Sequence, residues 1–316
     1  MRNSCCPAVV FAAVRRFLPL VALLACLAGC GGDDGANNPE RGTLALDFQP
    51  NAVHAGIYAA QNIRIRVPSA STDSLKLLAA GRADMSVVDI HDLGLARERG
   101  SDIVGVGALV QRPLAAVIAR GSDVRRPRDL EGRRVGVTGL PSDDAVLRAV
   151  VEHDGGSFER VRRVTIGFSA VPTLIAGRVD AAVSFWNAEG VALHERGVDT
   201  REFRVDEYGA PRYPELVLAV TRRTLDERGK LLDSMLAEIE KGTRIALRDR
   251  EATVEELVRA SGADEPLVRA QFAAVAPALT PPLRLDREAL QSWARFDARF
   301  GILRSVPDVE RAFRLG

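Results

Sequence analysis

Three short stretches concentrate the side chains with which this chain could do chemistry. In the first, an apolar run leads into Phe48, Asn51 and His54. An aromatic ring, an amide and an imidazole so close together can grip a flat polar ligand, move a proton, or merely cap a helix. The second, Ser-Phe-Trp-Asn-Ala-Glu-Gly, places Trp186 at the end of an apolar run, with Asn187 and Glu189 behind it. The indole suits stacking on a flat ring, and Glu189 could accept from an amino or ring N–H. The alternative is a packed indole and a glutamate favoured by the helix dipole. The third, Glu-Tyr-Gly-Ala-Pro-Arg-Tyr-Pro-Glu, gathers Tyr208, Tyr213 and Glu215 just before a strand-like run. A fourth, weaker candidate is the turn at 139–143, whose free N–H groups would favour a carbonyl or anion, although Asp143 opposes a full anion.

Other chemistries are poorly served. His54, His91, His153 and His194 are scattered, with no pair at helical metal-ligand spacing. No glycine-rich phosphate loop precedes a lysine. Only Lys76, Lys230 and Lys241 exist, so Schiff-base chemistry has few candidates. Neither a metal nor a cofactor is expected. With 43 basic and 42 acidic residues the formal charge is +1, which gives no support to a nucleic-acid partner.

The elements that must position these groups alternate. Strand patterns at 43–48, 63–67 and 85–88 are separated by short helices at 54–61 and from a Ser71 or Thr72 cap to Gly81. This is the rhythm of a parallel sheet with crossover helices. The phrase Leu-Leu-Ala-Ala-Gly-Arg-Ala-Asp-Met-Ser-Val-Val at 77–88 has an echo in Leu-Ile-Ala-Gly-Arg-Val-Asp-Ala-Ala-Val-Ser-Phe at 174–185, which fits two lobes of one α/β design. Strands are expected at 135–138, 164–168, 181–185 and 215–221, and a helix at 144–153. The remainder reads as amphipathic helices, with Leu290, Trp293, Phe296 and Phe300 on one face and Trp293 in the core. Ligands of open α/β sheets bind beyond the carboxyl ends of the strands, where the first two candidate stretches fall.

The first thirty residues are of a different kind. Arg2, Arg15 and Arg16 flank an apolar run at 17–27 that is too short to span a membrane. The run ends in Leu-Ala-Gly-Cys and resembles a bacterial lipoprotein signal, which implies cleavage before Cys30 and a lipid on its sulfur. All four cysteines lie here, so the remaining chain would have no disulfide and no thiolate site. The expected division is a leader at 1–29, a flexible tether at 30–42, one lobe from 43–123 with 217–316, and a second lobe at 124–216.

Leu-Asp-Phe-Gln-Pro-Asn-Ala-Val-His-Ala-Gly-Ile-Tyr-Ala-Ala-Gln at 46–61 resembles the signature of bacterial substrate-binding proteins for thiamine-pyrimidine precursors. Asp47, Pro50, Asn51, His54, Ala55, Gly56, Tyr58 and Gln61 match it. Ala-Leu-Val-Gln-Arg-Pro-Leu at 108–114, Phe-Trp-Asn-Ala-Glu-Gly and Tyr-Gly-Ala-Pro-Arg-Tyr-Pro-Glu look like later motifs of that family. The resemblance implies a two-lobed type II periplasmic-binding fold, each lobe a mostly parallel sheet flanked by helices. It also implies a lipid-anchored monomer at the cell envelope that serves an ABC permease and its ATPase, and no catalysis. Carried over by motif, the ligand ring meets Phe48, Asn51, Trp186 and Glu189, with Tyr208 and Tyr213 as cleft walls; Asp89 and His91 are placed by position. Two features depart from the family: Phe48 replaces a tryptophan, and Asn62 leads straight into a strand where a Gly-Tyr-Phe segment is usual. Receptors of the same architecture for riboflavin, nitrate or alkylsulfonate remain alternatives. The fungal pyrimidine synthase is a related enzyme. It needs a lysine-bound pyridoxal phosphate and a cysteine-rich motif, and this chain has no lysine between Lys76 and Lys230 and no cysteine after Cys30.

Overall fold

In the computed structural model, which describes residues 41–68 and 73–315, the apolar runs pair into two five-stranded sheets. The strands are β1 (Gly42–Ala45), β2 (Ile63–Arg66), β3 (Met85–Asp89), β4 (Ile103–Ala108), β5 (Ala115–Arg120), β6 (Arg134–Val137), β7 (Arg162–Thr165), β8 (Ala181–Phe185), β9 (Thr200–Arg204) and β10 (Leu216–Thr221). The first sheet has the order β2-β1-β3-β10-β4 and the second β7-β6-β8-β5-β9. In the first, β1 runs parallel to β2 and β3, while β10 is antiparallel to β3 and β4. The second repeats this, with β6 parallel to β7 and β8, and β5 antiparallel to β8 and β9. Each reversed strand is the one that has just crossed over from the other sheet.

The crossing corrects the expected lobe division. The expected boundary puts residues 43–123 in one lobe, but β5 pairs with β8 and β9 and so belongs to the second sheet. Its sequence, Ala-Ala-Val-Ile-Ala-Arg, is buried up to its last residue and would suit either sheet. Only its partners decide, and the chain crosses at 109–114. Strands β4, β5 and β9 are absent from the sequence-based expectations.

The echoed phrase is a positional equivalence. Its two copies end in β3 and β8, which hold the same third place in their sheets. Gly81 and Gly177 adopt φ of +64° in both, the left-handed conformation that stops a helix and costs glycine little. The aspartates have matching jobs. Asp84 Oδ2 accepts the Thr43 N–H and Asp180 Oδ2 accepts the Arg134 N–H, each at 2.8 Å. The N–H at each strand start thereby finds an acceptor, in each sheet by the same device.

The signature stretch is tighter than a two-turn helix. A 3-10 turn at Ala52–His54 continues into a single α-turn at Ala55–Tyr58. Asn62, at φ +59°, then turns the chain directly into β2, a left-handed conformation that asparagine tolerates better than most residues. The short turn packs on the long helix Gly229–Arg248 by backbone approach. A Cβ on Gly242 would lie 2.3 Å from the Gly56 carbonyl oxygen, and one on Gly56 would lie 2.0 Å from Thr243 Oγ1. Trp293 is fully buried, as its helical face implies, with its ring edge-on to Phe313. The leader, Cys30, residues 30–40 of the tether and the Ser71 or Thr72 cap lie outside the described residues. Among the described residues no helix is long and apolar enough to cross a membrane.

The glycine contact makes a prediction. Gly242→Ala drives a methyl into backbone that cannot swing aside and is expected to cost about 1–3 kcal/mol. Gly229→Ala, with nothing within 4 Å of the added carbon, is expected to leave stability unchanged. Urea denaturation of both variants checks this; equal midpoints would show that the close approach is unimportant.

Candidate functional site

The carboxyl ends of β1, β3, β6, β7 and β8 converge on a cavity of about 460 Å³, within the size range of small-molecule sites. From the first sheet come Asp47, Phe48 and Asn51 after β1 and Asp89 at the end of β3. From the second come Thr138 and Asp143 after β6, Phe168 after β7, and Phe185, Asn187 and Glu189 at and beyond β8. Leu114, Ala115 and Glu215 line it where the chain passes between the sheets.

Asn51 is both a cap and a wall. Its Oδ1 accepts the Val53 N–H and its Nδ2 donates to the Gln49 carbonyl, each at 3.0 Å. His54 does not reach the cavity. It is wholly buried, its Nδ1 accepts the Asn51 N–H at 3.3 Å, and Nε2 is therefore left to donate to Asp47 Oδ1 at 2.7 Å. The imidazole thus positions two residues that do line the site.

The expected sandwich of Phe48 and Trp186 is not formed. Trp186 is 3% exposed, donates its indole N–H to the Pro113 carbonyl at 3.0 Å, and carries the Arg204 and Arg112 guanidiniums 4.2 and 5.5 Å from its ring centre. The physical reason is alternation. Successive side chains at a strand's end point to opposite sides, and it is Phe185 that takes the cavity side. The ring that meets Phe48 is Phe168, with centroids 5.7 Å apart. At 40% and 61% exposure these two mark the mouth.

After Trp186 the chain makes one wide π-type turn, Trp186–Gly190, a form that tends to occur at functional sites. It brings Asn187 and Glu189 to the cavity. Asn187 Oδ1 is buried without a hydrogen-bond partner among the described residues, and such an orphaned acceptor costs about 1–3 kcal/mol until a donor arrives. Glu189 Oε2 accepts the Phe185 N–H at 3.1 Å, and burial raises its pKa. The turn at 139–143 is closed to anions by its own aspartate. Asp143 Oδ2 takes the Gly139 and Leu140 N–H groups and the Thr138 hydroxyl.

Neither tyrosine is a cleft wall. Tyr208 packs edge-on against Phe203 and His153, and Tyr213 is wholly buried. Proline-rich segments crowd aromatic rings into a core as readily as into a site. From that motif it is Glu215 that reaches the cavity. Its Oε2 accepts the Leu114 and Ala115 N–H groups at 2.8 and 3.2 Å. His91, also expected at the site, lies behind the wall. Nδ1 donates to Asp297 Oδ1 at 2.8 Å and Nε2 donates to the Tyr213 hydroxyl at 3.2 Å. Burial by itself would depress its pKa. The Asp297 carboxylate, helped by Asp89 and Glu215, outweighs that and raises it to about 10. Burial pushes Asp89 well above the ordinary range and Glu215 upward, with the His91 charge opposing both.

Ligand atoms of Asp89, His91 and Glu215 lie within 4.8 Å of one another. The histidine is already paired with Asp297 and charged, so the trio reads as an ion cluster rather than a cation site. Among the described residues the cavity wall carries six carboxyl groups, several amides and no lysine, arginine or histidine. Phe168 and Gln271 escaped sequence reasoning, Asp143 entered it only as a residue that opposes an anion, and Phe185 only as a neighbour of Trp186. The usable signal for Phe185 was its place at a strand's end, one residue before Trp186.

Two open sheets of this strand order, each with one reversed strand and a cavity at their facing carboxyl ends, define the type II periplasmic-binding-protein fold. The periplasmic aliphatic sulphonate binding protein of Escherichia coli matches it with a TM-score of 0.71 at 17% identity, over 87% of this chain and 97% of that one. The chain belongs to the NMT1/THI5-like family, which matches residues 51–253. A formylaminopyrimidine-binding protein of Halalkalibacterium halodurans is 31% identical over 244 residues, 73% of each chain. A 4-amino-5-hydroxymethyl-2-methylpyrimidine phosphate synthase of Saccharomyces cerevisiae is 26% identical over 166 residues, 48% of each.

The buried imidazolium has a pH signature. Its folded pKa of about 10 exceeds the ordinary value of 6.5, so its stabilisation is complete below about pH 6.5 and is lost as pH rises towards 10. Thermal melts are expected to show falling stability across that window. Asp297→Asn should be less stable at pH 6 and show a flatter decline. A wild-type profile level from pH 7 to 10 would refute a charged His91.

Proposed function

We propose that this chain is the solute-binding component of an ABC importer and that its ligand is an aminopyrimidine related to thiamine precursors. The observation that carries this reading is the one-sided chemistry of the cavity. Acceptor-rich carboxyl and amide groups face a space with no cationic side chain among the described residues, while Phe48 and Phe168 offer flat apolar surface. Such a wall suits a neutral or weakly basic heterocycle with N–H donors and repels nitrate or an alkylsulfonate. Likeness to the sulphonate-binding protein extends to the fold only. A riboflavin ligand would need a larger space.

In this reading the ring lies by Phe48 and Phe168, with Asn51, Asn187 and Glu189 at its edge. The segments at 109–114 and before β10 flex as the sheets close on it. Closure follows because only the closed form touches the ligand from both sides. A permease and its ATPase then take the ligand from a monomeric receptor, held at the outer face of the membrane by a lipid on Cys30. A synthase-like activity is disfavoured: the matched synthase aligns over 48% of its length, and among the described residues no lysine lines the cavity to carry pyridoxal phosphate.

Calorimetric titration tests the reading. 4-Amino-5-hydroxymethyl-2-methylpyrimidine and its formylamino relative are expected to bind, and taurine and nitrate are not. Asn187→Ala and Glu189→Gln should each weaken binding about tenfold or more. Trp186→Phe should lower thermal stability with affinity unchanged. Binding of taurine or nitrate alone would overturn the assignment.

A further inference from the structure

The cavity wall holds two carboxyl oxygens with no hydrogen-bond donor from the protein among the described residues. Glu215 is 2% exposed. Its Oε2 is saturated by the Leu114 and Ala115 N–H groups, whereas Oε1 makes no hydrogen bond among the described residues. The imidazole nearest to it, His91 Nε2, is 3.8 Å away and is directed to the Tyr213 hydroxyl. Asp89 is similar. One oxygen, Oδ1, accepts the His91 N–H at 2.8 Å, and the other has no partner among the described residues. Both side chains line the cavity, while His91, Tyr213 and Asp297 stand behind them and do not.

We propose that Asp89 and Glu215 form a second polar subsite, beside the ring-edge groups Asn51, Asn187 and Glu189, which selects ligands carrying a hydrogen-bond donor on a side arm. The donor is a hydroxyl, an amide N–H or an ammonium group. The inference rests on the pyrimidine reading and deepens it. A hydroxymethyl and a formylamino group differ in size and polarity, yet each presents a donor, O–H or N–H. An ether or a methyl group in the same place presents none, and it would bury two carboxyl oxygens without a partner. The subsite also explains why Glu215 is a carboxylate rather than an amide. One oxygen holds the two backbone N–H groups where the chain crosses between the sheets, and the second must remain an acceptor towards the cavity.

The test compares three compounds by calorimetry: 4-amino-5-hydroxymethyl-2-methylpyrimidine, its O-methyl ether, and 4-amino-2,5-dimethylpyrimidine. Wild-type protein is expected to prefer the hydroxymethyl compound by about tenfold or more over the other two. Glu215→Gln and Asp89→Asn keep an amide oxygen for the backbone bonds but turn the spare oxygen into an N–H donor. Each should erase most of that preference, with the ether weakened least. Equal wild-type affinity for all three compounds would overturn the subsite and leave the pyrimidine reading standing, as would variants that weaken all three alike. Failure of all three to bind wild-type protein would overturn the pyrimidine reading and the subsite with it. If Glu215→Gln does not fold, by circular dichroism, Asp89→Asn decides the question.

Discussion

A carboxylate that is removed from water must be met by N–H groups or a cation, and Glu215 meets this requirement in a way that shapes the molecule. Its Oε2 takes two backbone N–H groups at the start of β5, while its own backbone leads into β10. The two strands that reverse direction in their sheets are therefore fastened to each other by one side chain. His91 on the helix Ile90–Glu98 and Asp297 on the helix Arg287–Arg299 add a charged pair behind it. Leaving such a buried charge unpaired costs about 3–5 kcal/mol, comparable with much of a domain's net stability. The cavity ends where it does because this cluster forms its floor.

The same physics gives the cavity its sign. Five of the wall's carboxyl groups (Asp89, Asp92, Asp143, Glu189 and Glu215) are raised in pKa, each with burial as the leading cause. Their protein partners are mainly backbone N–H groups, and the one nearby imidazolium lies behind the wall. A partner with its own N–H or O–H donors relieves these groups, and an anion aggravates them. The sulphonate-binding protein of Escherichia coli shares the architecture with this chain, and a shared fold does not carry a shared ligand. Function has to be argued from the wall.

The signature stretch separates into two kinds of residue. Asp47, Phe48 and Asn51 face the cavity. His54 and Gly56 serve them from behind, the imidazole by holding Asp47 and the Asn51 N–H, the glycine by admitting the long helix to backbone contact. A motif of this density contains more scaffold than contact. The echoed Gly-Arg-x-Asp phrase is scaffold throughout, ending helices and holding strand starts in both sheets.

Local chemistry was enough to read the α/β class, the repeated half-molecule, the buried Trp293 and the placement of Asn51, Asn187, Asp89 and Glu189 at or beyond strand ends, where they line the cavity. Periodicity, glycine stops and polar residues after apolar runs act over a few positions, and a sequence displays them directly. What only the tertiary structure decided was which way neighbours point and which sheet a strand joins. Phe185 and Trp186 are adjacent and both aromatic; the arginines at 112 and 204 and the Pro113 carbonyl, all distant in sequence or brought in by the crossing, claim the indole and leave the phenylalanine to the cavity. His91 is held inward by Asp297, 206 residues further on, and Tyr213 by His91 in turn. β5 joined the second sheet because β8 and β9 lay open to it. These outcomes depend on long-range partners, and a burial pattern alone is the same for either choice.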